Sequence, residues 1–300
     1  MQRLLLCLTA VGLSVLGAGR CAAARRVIDL AGMWQVGQGA MEAPPERFDR
    51  RVPVPGLADM AEPPFEGVGA VPKNPRDPKV QPTDPRREAF WYRRTFTLDG
   101  PVPAVARLKV HKAKFAARVM LNGQVVGDHL PCFTPGWFDL RPHLKGGGAE
   151  NVLLVRVGAS PAAVPTAVPW GFDFEKVRYI PGIYDRVEVI LSGTPHVVNV
   201  QTAPDVPGKV VRVVAEVANA SAAAAAVTPV CTVREAVTGK KVGEVTAKAV
   251  RIGAGGTGRA DVTVPITGCR LWSPEDPFLY KLEVGTGADT VTTRFGMRSF

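Results

Sequence analysis

The chain is poor in the residues that most often carry chemistry. Four of its 300 residues are histidine, five are cysteine, and aromatics make up 7%. His111, His129, His143 and His196 are scattered, none stands at i, i+4 to another ligand, and no Cys-x-x-Cys occurs. A metal site therefore has no support in the spacing. There is no Gly-x-Ser-x-Gly elbow and no phosphate-cradling glycine loop, which removes the signatures of a serine hydrolase of that type and of a P-loop protein. Beyond the first twenty residues there is no long apolar run, which argues against a polytopic membrane protein. No stretch shows the strand–helix alternation of a (β/α)8 barrel, which takes about 250 residues.

What is abundant is valine, 43 in all, with 31 glycines and 27 prolines. Such a composition favours strands and turns over helices. Hydrophobic residues at 46% and charged residues at 21% mark a globular chain of roughly two domains. The formal charge is +10, but the basic residues come as scattered pairs: Arg50-Arg51, Arg86-Arg87, Arg93-Arg94 and Lys240-Lys241. No basic helix, zinc-finger spacing or RNA-binding motif accompanies them, so nucleic acid is not an expected partner. A modest preference for anionic glycans or envelope surfaces fits the charge.

The start reads as a secretory signal. Met1-Gln-Arg3 is a basic n-region, Leu4 to Ala18 is apolar and too short to span, and Ala22 and Ala24 stand in the A-x-A frame. Cleavage after Ala24 removes Arg3 and Arg20 and lowers the charge from +10 to +8. An uncleaved anchor is the other reading, and Arg20 directly before Cys21 spoils a lipobox. No further membrane segment is expected. The product is thus secreted or periplasmic, with Cys132, Cys231 and Cys269 retained. Export permits a Cys231–Cys269 disulfide, but an odd count without regular spacing favours three buried thiols.

Residues 25–195 read as one β domain. Phe90, Tyr92, Phe96 and Leu98 alternate with Trp91, Arg93, Thr95 and Thr97, as do Ala117, Val119 and Leu121 with their neighbours. Asn122-Gly123 is a hairpin signal before Val125-Val126. Asn151–Val157 and Tyr184–Leu191 add two strands. Between Pro44 and Pro85 the prolines exclude a central strand and predict long loops. Residues 196–300 form a second block, where Val211, Val213, Ala215 and Val217 alternate and turns such as Thr238-Gly239 recur, as in an immunoglobulin-like sandwich. Ala222–Ala226 reads as an edge or loop, and Asn219-Ala-Ser221 matches a glycosylation triplet.

The carboxylates worth weighing lie in Trp170-Gly-Phe-Asp173-Phe-Glu175-Lys-Val-Arg178-Tyr179. Aromatic rings cover the C–H face of a pyranose and carboxylates accept from its hydroxyls, which suits sugar binding. An aromatic-capped loop with a surface ion pair fits the same residues. Phe133-Thr-Pro-Gly-Trp137-Phe138 divides the same way.

Taken in order, the motifs resemble glycoside hydrolase family 2. Asp29-Leu-Ala-Gly32-Met-Trp34, Val52-Pro-Val-Pro55-Gly56, Trp91-Tyr92-Arg93-Arg94-Thr-Phe96, Val119–Gly127 and Asn151–Val157 are similar to that family's N-terminal sugar-binding domain. Pro181-Gly182-Ile183-Tyr184-Asp-Arg186-Val187 resembles the turn that closes it. Leu271-Trp272-Ser-Pro274 through Leu282, then Arg294-Phe295-Gly296-Met-Arg298, resemble the end of its immunoglobulin-like domain. The likeness runs over roughly 270 residues. It implies a galactose-binding-like jelly roll over 25–195, then an immunoglobulin-like sandwich over 196–300, an all-β chain ending where a catalytic (β/α)8 barrel would begin.

In that family, which includes β-galactosidases, β-glucuronidases and β-mannosidases, the barrel carries both catalytic glutamates of a retaining mechanism. One protonates the leaving oxygen and the other attacks the anomeric carbon, about 5–5.5 Å apart. The resemblance thus assigns no catalytic residue to this chain and implies no cofactor. It does imply that the first domain lends residues to the sugar pocket. An asparagine in a Pro-rich loop corresponds to Asp84 here, and an aspartate before the glycine–isoleucine turn to Asp173, with Glu175 next and Arg178 in the same segment. The implied partners are a β-glycoside and a C-terminal barrel. The rival readings are a stand-alone carbohydrate-binding or adhesion protein and a gene fragment without function.

Overall fold

Period-two valine patterning produces strands throughout. A computed structural model describes residues 25–69, 85–173, 175–176, 178–299; the leader 1–24 and Asp84 lie outside them. The described residues form β-strands and short 3-10 turns, with no α-helix. No helix among them is long and apolar enough to cross a membrane.

The first domain stacks two sheets. One is six-stranded and antiparallel, in the order Arg50–Val54, Gly32–Gly39, Ala89–Thr97, Glu150–Gly158, Ala117–Leu121, Gln124–His129. The other orders Arg26–Asp29, Val187–Ser192, Val105–Val110 and Gly136–Asp139. Their inner faces share a core in which Trp34, Phe90, Tyr92, Leu108, Leu121, Leu153 and Val189 are almost wholly buried. This is a two-sheet β-sandwich, in keeping with the jelly roll that the resemblance implied.

The Asn-Gly hairpin forms as expected. Asn122 and Gly123 both take positive φ, 51° and 83°, the pair that a type I′ turn requires. The turn is tied down by a buried asparagine. Asn122 Nδ2 donates to Asn151 Oδ1 at 2.9 Å, and Asn151 Oδ1 also accepts from the Lys145 N–H at 2.8 Å. Full burial of Asn151 is tolerated because its amide is bonded on both sides.

Two expectations are corrected by the fold. Trp91, placed by alternation on the half-exposed face, is fully buried. The chain after Gly39 folds back over that face, and Trp91 Nε1 donates to the Ala40 carbonyl at 2.8 Å. The Pro-rich stretch is not all loop, since it contributes the strands Arg50–Val54 and Gly56–Leu57. Pro53 is accommodated because Arg50–Val54 is the outermost strand of its sheet. Asn219, the acceptor of the glycosylation triplet, is 1% exposed. Its Nδ2 donates to the Ala223 and Gly253 carbonyls at 2.7 and 3.1 Å, so this asparagine is a loop tie.

The second domain pairs a three-stranded sheet, His196–Asp205, Val210–Ala218 and Thr257–Pro265, with a four-stranded one, Lys241–Thr246, Val230–Glu235, Tyr280–Gly285 and Thr290–Phe295. Val211, Val213, Ala215 and Val217 face inward, as their alternation required. Each buried valine stabilises by about 1.5–3 kcal/mol. Ala225–Val227 is a short strand, in keeping with the edge reading of the alanine run. Cys132 and Cys231 are buried free thiols and Cys269 is a partly buried one. The main core clusters separate between Leu191 and Val197.

Candidate functional site

The aromatic and charged segment sits at one end of the jelly roll, on a small sheet made of Gly56–Leu57, Gly182–Ile183 and Ala113–Lys114. Glycine is required at 182 by close packing. A Cβ there would lie 2.5 Å from the Gly56 carbonyl oxygen and 2.7 Å from Leu57 Cα. This contact explains physically why a glycine precedes isoleucine in the closing turn. The Ala58 N–H donates to the Pro181 carbonyl at 2.8 Å and locks the same corner.

Behind this sheet a second, smaller core gathers Phe115, Cys132, Val164, Trp170 and Tyr179. Trp170 meets Phe115 and Tyr179 edge to face, with ring centroids 5.8 and 4.8 Å apart, a favoured aromatic geometry. Phe172 stacks on Tyr179 at 6.2 Å and stays 58% exposed, while Phe133 is 49% exposed. The segment therefore buries Trp170 and Tyr179 and offers Phe172 to solvent.

Tyr179 also acts through its hydroxyl. The Asp173 N–H donates to it at 2.7 Å, and the hydroxyl donates to the Asp173 carbonyl. The Tyr179 N–H reaches the Gly69 carbonyl at 3.2 Å, Arg178 Nη2 the Val68 carbonyl at 3.0 Å, and Arg87 Nη2 the Glu66 carbonyl at 2.7 Å. These bonds pin the chain on both sides of residues 70–84 beside the aromatic segment.

The expected site residues are thus placed as follows. The Asp173 carboxylate is 38% exposed; Oδ1 accepts from the Glu175 N–H at 3.0 Å and Oδ2 lies 3.6 Å from Lys176 Nζ. Glu175 is exposed on the same turn. Arg178 is turned to the Val68 backbone and forms no ion pair with Asp173. Asp84 lies outside the described residues. One residue was missed by the sequence reading. Lys114 Nζ lies 5.2 Å from the ring centroids of both Phe115 and Tyr179. Burial pushes its ammonium below the usual lysine range, against a smaller opposing effect of Cys132. The break of alternation after Ala113 is the only signal that could have drawn attention to it.

Residues 195–298 match the family model Glycosyl hydrolases family 2. This stretch is similar to glycoside hydrolase family 2. The fold of the chain is shared with solved members. A β-glucuronidase from glycoside hydrolase family 2 superposes with a TM-score of 0.66 at 19% identity, over 92% of this chain and 30% of its own. The Bacteroides uniformis β-glucuronidase gives 0.62 at 21%, over 92% and 33%. The Eisenbergiella tayi β-galacturonidase bound to galacturonate gives 0.65 at 18%, over 92% and 43%. The chain therefore spans less than half the length of these three relatives. No curated protein matches the sequence.

Proposed function

We propose that this chain is the non-catalytic N-terminal portion of a secreted, retaining glycoside hydrolase that removes a terminal β-linked sugar. Its physical role is to shape the pocket rim and to buttress a catalytic (β/α)8 barrel. The observation that carries this reading is the match to the family 2 model over 195–298 together with an aromatic, charged rim built on the preceding sandwich. The chemistry of double displacement needs two carboxylates held about 5–5.5 Å apart, and it belongs to the barrel. The relatives act on glucuronides and galacturonides by their names, so the sugar stays defined here only as a β-glycoside.

In the complete enzyme, Asp173 would accept from a sugar hydroxyl with the lone pairs that Glu175 and Lys176 leave free, and Phe172 would cover a C–H face of the ring. Asp173→Asn should lower kcat/KM by about ten- to hundredfold, the loss expected from roughly 1.5–3 kcal/mol of a charge-assisted bond. Glu175→Gln is the comparison on the same turn. Wild-type kcat/KM in both variants, with the fold intact, would reduce the segment to a capped surface loop. Export would be tested by mass spectrometry of the secreted protein. The expected mature N-terminus is Arg25, and molecules retaining Met1–Arg20 would contradict it.

A stand-alone carbohydrate-binding protein is the second reading. The exposed rings of Phe133 and Phe172 favour it, because they present stacking surface without a barrel.

A further inference from the structure

Most arginines of this chain for which a side-chain bond is seen face a carboxylate. Arg25 pairs with Asp289, Arg118 with Asp128, Arg212 with Asp205, Arg234 with Glu283, Arg259 with Asp261 and Arg270 with Asp276. Arg51, Arg93 and Arg94 do not, yet they line one cleft of about 290 Å³ on the six-stranded sheet of the jelly roll. Met33, Gln35 and Thr95 complete most of its wall, and no Asp or Glu lines it among the described residues.

The strand register builds this cleft. Gln35 stands opposite Arg51 on one side and opposite Arg93 on the other, so the three side chains share a face in one row. With neighbouring strands about 4.8 Å apart, the two arginine backbones lie about 10 Å from each other, within reach of a single small ligand. The ladder between Gly32–Gly39 and Ala89–Thr97 ends at the Gln35–Arg93 pair. In the gap beyond it, Arg94 Nη1 donates to the Met33 carbonyl at 2.9 Å, which orients its guanidinium. Arg94 Nε is buried and has no hydrogen-bond partner among the described residues. Arg93 is steadied by Gln35 Oε1, a neutral acceptor that leaves its charge uncompensated. Arg51 makes no side-chain bond among the described residues.

Arg51 and Arg93 thus bring two like charges to one row with no carboxylate in the cleft among the described residues, and like charges repel. That repulsion is relieved by one oxyanion, for which arginine forks are geometrically suited. The cleft is at the small end of ligand pockets, the size of a single ring, and Met33 gives it an exposed apolar edge. We propose that this cleft is a binding site for an oxyanion borne on a sugar, a sulfate ester or a uronate carboxylate, with Arg51 and Arg93 as its ligands and Arg94 at its edge. The site requires only this chain, and it stands whether or not a barrel is joined.

The test is equilibrium binding of the 300-residue chain to dextran sulfate, to polygalacturonate and to neutral dextran. Arg51→Gln/Arg93→Gln should weaken binding to the favoured polyanion at least tenfold and flatten its salt dependence. Arg259→Gln, an arginine lost from the other domain, should change it less than twofold, and a single Arg51→Gln, an exposed change, guards against misfolding of the double variant. Tighter binding to dextran sulfate identifies the sulfate ester, and tighter binding to polygalacturonate the carboxylate. Equal weakening by Arg259→Gln, equal binding of neutral dextran, or no binding of either polyanion at low salt would overturn the proposal.

Discussion

Arg25 and Asp289 clamp the two sandwiches together. Arg25 Nε donates to Asp289 Oδ1 at 2.9 Å and Nη2 to Oδ2 at 2.7 Å, a bidentate pair between the first described residue and the last hairpin of the second domain. The Asp289 side chain is wholly buried, and its Oδ2 also accepts from the Val197 N–H at 2.7 Å. Arg25 Nη2 further donates to the Val197 carbonyl at 2.7 Å, so the clamp holds the start of the second domain as well. Removing one partner strands the other in a largely dry seam, which for buried pairs costs about 3–5 kcal/mol. We expect Asp289→Ala to lose about 3 kcal/mol, at the low end because Arg25 keeps some solvent access. Chemical denaturation would check it, and a loss under 1 kcal/mol would show that the clamp is decorative.

His196 opens the second domain and is almost buried, with Nδ1 unbonded among the described residues. Burial depresses its pKa below the ordinary histidine value of 6.5; the Asp289 charge opposes this, and Arg107 and Arg25 reinforce it. The unfolded chain therefore binds the proton first as pH falls. Stability is full above pH 6.5 and declines as pH drops from there toward the depressed value. Melting curves at pH 7.5 and 5.5 should show a larger fall for the wild type than for His196→Gln. Equal falls would remove His196 from the acid response.

Tyr92 is buried to its hydroxyl, which has no partner among the described residues. Burial drives its pKa well above the usual tyrosine range, with a smaller push from Asp59. An unbonded buried hydroxyl is a cost, so Tyr92→Phe should be neutral or stabilise by about 1 kcal/mol. A loss of more than 1 kcal/mol in urea denaturation would mean that the hydroxyl is bonded after all.

Much of the fold was legible because local signals agreed with it. The Asn122-Gly123 turn, the inward valines from Val211 to Val217 and the inward Phe90, Tyr92 and Phe96 all follow from period two and turn chemistry. What failed involved chain folding over a sheet face. Trp91 has an outward parity, and only the return of the chain after Gly39 buries it. The triplet at Asn219 said nothing of burial, which comes from the nearby Ala223 carbonyl and the distant Gly253 carbonyl closing on it. The candidate site divides likewise. The Trp170–Tyr179 segment was visible from composition, but the hydroxyl latch of Tyr179 and the place of Lys114 depend on the small sheet that Gly182 closes. The Arg51–Arg93 row needed the register, because the two residues are far apart in sequence and meet only across Gln35.

The most direct test of the proposed role is hydrolysis by the purified 300-residue chain. Aryl β-galactoside, β-glucuronide, β-mannoside and β-glucoside would be offered at substrate excess and product release followed. Because the acid and the nucleophile of double displacement belong to a barrel, we expect no turnover above background on any of the four. Turnover that survives repeated chromatography, and that disappears on replacing one carboxylate such as Asp173 or Glu175, would contradict the assignment of this chain to the non-catalytic half.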